Sequence, residues 1–497
     1  SSNPDLIANL EYSSPIGNQM LEKDLLEVDW ASTLKYNTIS ENWEAFKSQL
    51  QELTLLNSIR RVFMKSTKKP WINDQLVKMI RIKRNLWRSF KRTGNVVDYA
   101  AHRTFSNQLA SKIKSAKSSY EAQLARNKNP KSFYKYIRDT LGGSVRKPQL
   151  RDSTGALISD NDKIANIFAD TFAEAYTAEP SSNPPVVFTP RCTASLTNVE
   201  FLEQEVYTRL RKLKKTKSPG PDDLSAAILN ECALSLCKPL SLLMQQSFIT
   251  GELPNDWRTA TVKPIFKKGD QLDAGNFRPI SLTSLISKLM ESIICHTMMK
   301  FLLEHKIIPA EQHGFVPKRS VITNLLSCLN DWSRELDNDN PVDVIYFDYI
   351  KAFDKVPTRR LLHKLEHFGI RGGLLKWIEG FLSFRTFRVK IDGCLSNSRK
   401  ALSRVAQGTV LGRLLFIIYI ADLTVELFSP FALFADDLKL YNTSKNNNVL
   451  KADLITLYAW AQKWLIPFNI KKCCVHHLDS INPKMQYNLG DHVLQYV

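Results

Sequence analysis

Phe431-Ala-Leu-Phe-Ala-Asp-Asp-Leu-Lys-Leu-Tyr441 is the stretch that decides the fold. Two short β-favouring runs flank Ala435-Asp436-Asp437, the pattern of a tight hairpin that carries carboxylates at its tip. Neighbouring side chains in a strand point to opposite faces, but at a hairpin tip two acids can splay around a common ion. Without a cation, the adjacent charges are costly to hold together. An Asp-Asp pair by itself also fits an ordinary turn or cap, so residues elsewhere must carry the reading.

Working outward, Val342-Asp-Val-Ile-Tyr-Phe-Asp-Tyr-Ile-Lys-Ala-Phe-Asp354 begins as a β-rich run and delivers Asp348 at its end, before a helical turn. A carboxylate at a strand end can face a cleft. Brought together, Asp348, Asp436 and Asp437 would offer the hard oxygen ligands that Mg²⁺ prefers, with positions left open for substrate phosphates. Two ions about 3.5–4 Å apart would serve an attacking 3′-hydroxyl and a leaving pyrophosphate, which is what nucleotidyl transfer requires.

The bulk of the chain suits a polyanionic partner. Its 497 residues exceed one ordinary compact domain, 43% are hydrophobic, and 68 Lys+Arg against 49 Asp+Glu leave a net charge of +19. Residues 61–150 hold 22 Lys and Arg against 4 Asp and Glu, so nearly the whole excess sits in under a fifth of the chain. There Trp71, Ile72, Leu76, Met79, Ile80, Ile82 and Leu86 keep near-helical spacing among the cations, and a second such run covers residues 99–124. Solvated basic faces would give this pattern. The interleaved Trp87, Phe90, Tyr120, Phe133, Tyr134 and Tyr136 also suit backbone tracking with base stacking, and nucleic-acid contact is the expectation.

Other chemistries find little support. Eight scattered cysteines do not resemble a disulfide framework and favour a reducing compartment. The most apolar stretch, 414–423, is too short to span a bilayer, so no membrane partner is expected. No Gly-x-x-x-x-Gly-Lys-Ser/Thr run is present, which disfavours an ATP-driven helicase. Cys473-Cys474-Val-His476-His477 lacks the separated pairs of a zinc site.

Six blocks in order carry a family resemblance. Phe347-Asp348 with Lys351-Ala-Phe-Asp354, Gln407-Gly-Thr-Val-Leu-Gly412 and Phe434-Ala-Asp-Asp437 resemble the motifs of reverse transcriptases. Asn276-Phe-Arg-Pro-Ile-Ser-Leu282, Gln312-His-Gly-Phe315 with Arg319-Ser320, and Trp464-Leu with Phe468-Asn-Ile-Lys-Lys-Cys473 resemble the non-LTR, LINE-type retrotransposon polymerases of the jockey and CR1 kind. The resemblance runs from about Leu202 to the C-terminus. It implies an α+β fold, the fingers (201–345) and palm (346–497) of a right-hand polymerase. Before these would come a poorly defined upstream linker (1–60), a basic helical nucleic-acid-binding extension (61–150) and a connector with a Pro-rich linker (151–200). Tyr487-Asn-Leu-Gly-Asp-His-Val-Leu494 would be the primer grip, after which the chain stops at Val497, so the thumb is expected to be missing. The start on Ser1 suggests a piece of a larger element.

Carried over residue by residue, the resemblance implies that Asp348, Asp436 and Asp437 are the catalytic carboxylates. Asp348 and Asp436 would be the direct ligands of two Mg²⁺ ions, for which Mn²⁺ could substitute. Phe353 would lie under the sugar and reject a ribose 2′-hydroxyl. Gln407 and Gly408 would pack beside the templating base, where glycine allows close backbone approach. Arg278 and Lys263 would meet the incoming triphosphate. Lys472, or the neighbouring Lys471, would protonate the departing pyrophosphate. The implied partners are an RNA template, a DNA primer or target and dNTPs, inside the cell and in the nucleus at the integration step. A catalytically inactive fragment that still binds RNA or DNA is the alternative. Phe353 and the Phe-Ala-Asp-Asp form argue against a third reading, an RNA-dependent RNA polymerase or intron-maturase-like protein. Nothing in the sequence bears on oligomeric state.

Five positions depart from the family pattern. Ala406 and Arg413 replace prolines, Ile350 replaces a small polar residue, and Val316-Pro317 replaces a basic pair. Arg413 is expected to be the most disruptive, a long cation beside the apolar Leu414-Leu-Phe-Ile-Ile418.

Overall fold

The computed structural model describes residues 15–57, 69–126, 130–140, 149–151, 155–176, 179–180, 182, 184–185, 192–401, 405 and 408–497. It divides into two compact units, Ser1–Ile59 with Pro148–Val497, and Arg60–Lys147. Most of the Pro-rich stretch 181–190 lies outside the described residues.

The larger unit opens with helices α1 (Pro15–Glu27) and α2 (Ile39–Asn57). This is a correction to the linker expected over 1–60. Ile39, Trp43, Phe46 and Leu50 recur at helical spacing, and all four are buried in the main core. Trp43 packs edge-on against Trp257 at 5.3 Å and donates its Nε1–H to Asp256 at 2.9 Å.

The smaller unit is a helical hairpin, α3 (Asp74–Thr93) and α4 (Val96–Arg126), followed by α5 (Pro130–Thr140). Asn73 caps α3 by accepting from the Leu76 N–H, and Gly94 ends it in the left-handed region at φ +64°. Trp71, Tyr120 and Tyr136 pack together with centroids 5.6–6.2 Å apart, and Phe90 lies 5.1 Å from Tyr99. Several aromatics expected to stack on bases therefore hold the helices to one another. Phe133 and Tyr134 remain exposed.

In the larger unit the chain continues through α6 (Asn161–Ala173), β1 (Thr259–Phe266), β2 (Phe277–Leu282), α7 (Leu285–Glu304) and α8 (Val321–Asp337). Next come β3 (Val342–Phe347), α9 (Thr358–His367), β4 (Thr386–Ile391) and α10 (Leu411–Tyr419). The last elements are β5 (Phe431–Phe434), β6 (Asp437–Thr443), α11 (Asn447–Lys463), β7 (Cys474–Leu478) and β8 (Gln495–Tyr496).

One five-stranded sheet has the order β8-β7-β3-β6-β5, antiparallel except where β8 runs parallel to β7. Its central strand, Val-Asp-Val-Ile-Tyr-Phe, is rich in the β-branched and aromatic residues that suit a strand covered on both faces. Ile345, Phe347, Leu438, Leu440 and Val475 join the main core with α7, α10 and α11, while Val342, Val344 and Ala432 meet Cys328 and Trp332 of α8. A second sheet pairs β1 with β2 antiparallel and with β4 parallel. Its buried face, with Val262, Phe387 and Val389, is covered by Ile164, Phe168 and Phe172 of α6, a helix inside the region expected as a connector. The expected boundary at 345/346 does not separate the sheets either, because β4 follows β3 in sequence yet joins β1.

Candidate active site

The β5–β6 hairpin closes as the sequence suggests. Asp437 pairs with Phe434, which leaves Ala435 and Asp436 as a two-residue loop. Ala435 sits at φ +55°, a conformation that is strained for a residue with a Cβ and persists only when its surroundings impose it. Gln312 imposes it. Its Oε1 accepts from the Ala435 N–H at 2.9 Å and from the Gly314 N–H at 2.8 Å, and its Nε2 donates to the Ala435 carbonyl at 3.4 Å. Gln312 is 1% exposed, so losing it would orphan two buried N–H groups at roughly 1–3 kcal/mol each.

The same segment runs alongside β5. The His313 N–H donates to the Leu433 carbonyl at 2.8 Å, and the Leu433 N–H donates to the Glu311 carbonyl at 3.1 Å. Arg319 secures the segment by donating from Nη1 to the carbonyls of Pro309, Ala310 and Gln312 at 3.2, 2.7 and 2.7 Å. Ser320 then starts α8 with a reciprocal capping box to Thr323. The Gln312–Phe315 and Arg319-Ser320 blocks are thus the brace of the Asp436 hairpin. Sequence reading registered them as motifs but gave them no role.

Asp348 follows β3, one position beyond the Phe347–Leu438 pair, and so comes beside Asp437. The Asn469 N–H donates to the Asp348 carbonyl at 2.7 Å, and its side-chain amide donates to Oδ2 at 3.3 Å. The Lys472 ammonium pairs directly with that same oxygen. Lys472 therefore reaches the carboxylates, which separates it from Lys471.

Burial holds the Asp436 carboxyl above its ordinary range; Asp437 and Asp348 push the same way and Arg278 opposes them. Asp437 is also raised, first by burial and then by Asp348, against Lys439. Burial, Arg278 and Lys472 push the Lys267 ammonium down, while Asp348 pulls it up. Arg278 and Lys267 thus both lie within electrostatic reach of the carboxylates. Lys267 was missed because it belongs to a polar turn with no periodic signal. Lys263 shares the exposed sheet face with Arg278 by register, but it lines an 870 Å³ groove with Arg388, Lys390, Asp223 and Gly220.

The donor set is all carboxylate, with no thiol or imidazole, which suits Mg²⁺ or Mn²⁺ better than Zn²⁺. Among the described residues no three His, Cys, Asp or Glu side chains are grouped so that they could hold a metal ion. Beyond burial, the Asp348 charge does push up the pKa of Asp436 and of Asp437, and the Asp437 charge that of Asp436.

Phe353 is half-buried, stacked on Phe416 at 4.4 Å with Phe315 edge-on at 6.4 Å. Gly408 adopts φ +115°, and a Cβ there would meet the Ser281 carbonyl oxygen at 2.4 Å, so glycine is required where the loop crosses β2. Gln407 and Ala406 lie outside the described residues. Glu291, fully buried in α7, accepts from the N–H groups of Val410 and Leu411 at 2.7 and 3.1 Å and so anchors the start of α10 behind that loop. Arg413 is exposed, with its guanidinium 5.1 Å from the Phe315 ring. The buried-charge cost expected there does not arise, because the helix turns this position outward. Ile350 is likewise 40% exposed. His477 bonds to the buried Asp343 at 2.6 Å, a structural role.

Residues 265–490 match the family model described as Reverse transcriptase (RNA-dependent DNA polymerase). This region is a reverse-transcriptase domain. The match covers the β1–β2 hairpin tip, Asp348, Phe353, the Asp436 hairpin and Lys472. Curated proteins similar to this chain include the probable RNA-directed DNA polymerase from transposon BS of Drosophila melanogaster, 26% identical over 80% of this chain and 44% of that protein. The RNA-directed DNA polymerase from mobile element jockey of the same fly is 23% identical over 94% of this chain and 52% of the relative. The jockey polymerase of Drosophila funebris is 26% identical over 80% and 46%. These relatives are polymerases of BS and jockey transposons, and the chain spans about half the length of the curated relatives it matches. No described helix is long and apolar enough to cross a membrane.

Proposed function

We propose that the chain is an RNA-directed DNA polymerase of a non-LTR retrotransposon, joining dNTPs to the 3′-hydroxyl of a DNA primer on an RNA template. The observation that carries this reading is the β3–β6 register, which brings Asp348 beside the braced Asp436-Asp437 hairpin within a reverse-transcriptase match. Asp348 and Asp436 would hold Mg²⁺, with Asp437 beside them. Bound there, the ion would lower the pKa of the attacking hydroxyl and offset charge on the phosphates.

The chain's own groups do the rest. Arg278 and Lys267 bind the triphosphate and draw off the charge that spreads over its oxygens. Lys472 adds an ammonium that can donate a proton at the leaving oxygen. Phe353, backed by Phe416, occupies the space a ribose 2′-hydroxyl would need. Gly408 brings the loop backbone onto β2, beside the expected template path. The groove lined by Lys263, Arg388 and Lys390 suits a phosphate backbone.

The test is extension of oligo-dT on poly-rA with dTTP and Mg²⁺. Extension that disappears in Asp436→Ala supports the reading. Protein that binds the template–primer yet extends it with neither Mg²⁺ nor Mn²⁺ overturns it.

A further inference from the structure

The smaller unit carries a site that the polymerase reading leaves unused. Lys83, Arg84, Trp87 and Arg88 fall on one stripe of α3, since residues four apart in a helix lie on the same face. With His102 of α4 they line a cavity of 400 Å³, within the roughly 300–1,000 Å³ range of clefts that hold small ligands. Trp87 forms its aromatic wall, 40% exposed and tilted against His102 with centroids 5.0 Å apart. Lys91, one further turn along, places its ammonium 5.7 Å from the Trp87 centroid.

Two features separate this notch from an ordinary basic helix face. The first is Trp87, a large indole surface left partly open while Trp71, Tyr120 and Tyr136 pack against one another. The second is His102, whose ring packs against Trp87 and closes the cavity with a second aromatic wall.

We propose that the Lys83–Arg84–Trp87–Arg88–His102 notch binds one unpaired nucleotide of single-stranded nucleic acid. The base stacks on the exposed part of the Trp87 indole, with the His102 ring as the neighbouring wall. The flanking phosphates lie against Lys83, Arg84 and Arg88. Aromatic stacking selects an accessible base face, which a continuous duplex does not present. The site therefore discriminates single strands from duplexes, which uniform basic charge cannot do. This inference rests on the reading that the chain handles nucleic acid but is independent of catalysis.

The test uses the full chain and a fluorescein-labelled RNA of about 12 nucleotides, the same sequence as DNA, and the RNA annealed to its complement. Trp87→Ala is expected to weaken single-strand binding roughly 5- to 150-fold, the range reported for one stacked base, and to leave duplex binding unchanged. Trp87→Phe, which keeps a ring, retains most of the affinity. RNA and DNA arms that fall together mean the site reads the base, and an RNA-only loss means it also reads the sugar. As a readout that needs no variant, 5-iodouridine RNA should photo-crosslink to Trp87. Trp87→Ala protein that binds single strands as the parent does, or loses single strand and duplex equally, overturns the proposal. Asp436→Asn separates the two readings: it should abolish extension and leave the Trp87 effect intact.

Discussion

Gly314 lies against Ala435 so closely that a Cβ on the glycine would stand 2.1 Å from the Ala435 backbone nitrogen. Backbone, not a movable side chain, blocks that space, so Gly314→Ala must push the Asp436 hairpin away from its place. The expected result is a loss of primer extension of roughly 10²-fold in kcat, the scale that about 1 Å of misplacement can cost, with template binding retained. Gln312→Ala should lose activity and also unfold at lower temperature, because it orphans the Ala435 and Gly314 N–H groups. Single-nucleotide extension beside thermal melting checks both. Full activity in Gly314→Ala would show that the hairpin does not depend on this contact.

Phe353 is held by its stack on Phe416, and in the proposed function it is the floor of the sugar pocket. Replacing it with the smaller Phe353→Val should raise incorporation of ribonucleotides relative to deoxyribonucleotides, while dNTP extension falls less than the selectivity does. Competition between rUTP and dTTP on poly-rA measures the ratio. An unchanged ratio removes Phe353 from sugar selection.

The carboxylates give a pH prediction whose sign follows from their raised pKa values. For an acid raised in the folded state, the penalty is absent below its unfolded value of about 3.9 and appears as pH rises through the folded value. Near neutral pH the raised Asp436 therefore weakens the metal-free protein, and the more exposed Asp437 contributes less because water screens it. Asp436→Asn should raise the melting temperature near neutral pH in EDTA and leave it unchanged near pH 4. Mg²⁺ should raise the melting temperature of the parent protein and do much less for the variant. An equal Mg²⁺ shift in both would place the ion elsewhere.

Lys364 is a different kind of buried charge. It is fully inaccessible, with its ammonium 2.5 Å from Asp422, 2.6 Å from the Tyr419 carbonyl and 3.7 Å from the Trp464 ring centroid. Burial outweighs Asp422 and pushes its pKa down to about 7. A lysine depressed in this way contributes stability that is present above its unfolded pKa of about 10.4 and is lost as pH falls toward 7. Stability should therefore climb between about pH 7 and pH 10, and the climb should be shallower in Lys364→Met. At neutral pH that single variant leaves the Asp422 carboxylate with the Trp460 Nε1–H at 3.2 Å and should cost about 3–5 kcal/mol. Lys364→Met with Asp422→Leu should recover much of the loss. Urea titrations at several pH values decide it, and a double variant no better than the single would rule out an uncompensated charge as the cause.

The carboxylate centre was readable from sequence because its signals are local. Asp348 ends a β-branched run, and Ala435-Asp436-Asp437 joins two short β-favouring runs that do pair as a hairpin. The brace was not readable, since Gln312 and Ala435 are 123 positions apart and a side-chain bond to a backbone N–H leaves no periodicity. Arg413 shows the converse error. Its neighbours along the chain are buried, but helical rotation, not proximity in sequence, sets its exposure. The helices within 15–57 went unread because their apolar stripe is short, and the core it meets comes from residues some 200 positions later.

The strip from Glu311 to His313 has a further effect beyond holding Ala435. Its hydrogen bonds to Leu433 occupy the outer side of β5, which would otherwise present unpaired N–H and C=O groups to any passing strand. The segment that steadies the reactive hairpin is therefore also a guard against edge-to-edge aggregation. Variants that loosen it should precipitate from concentrated solution before they lose their helical content.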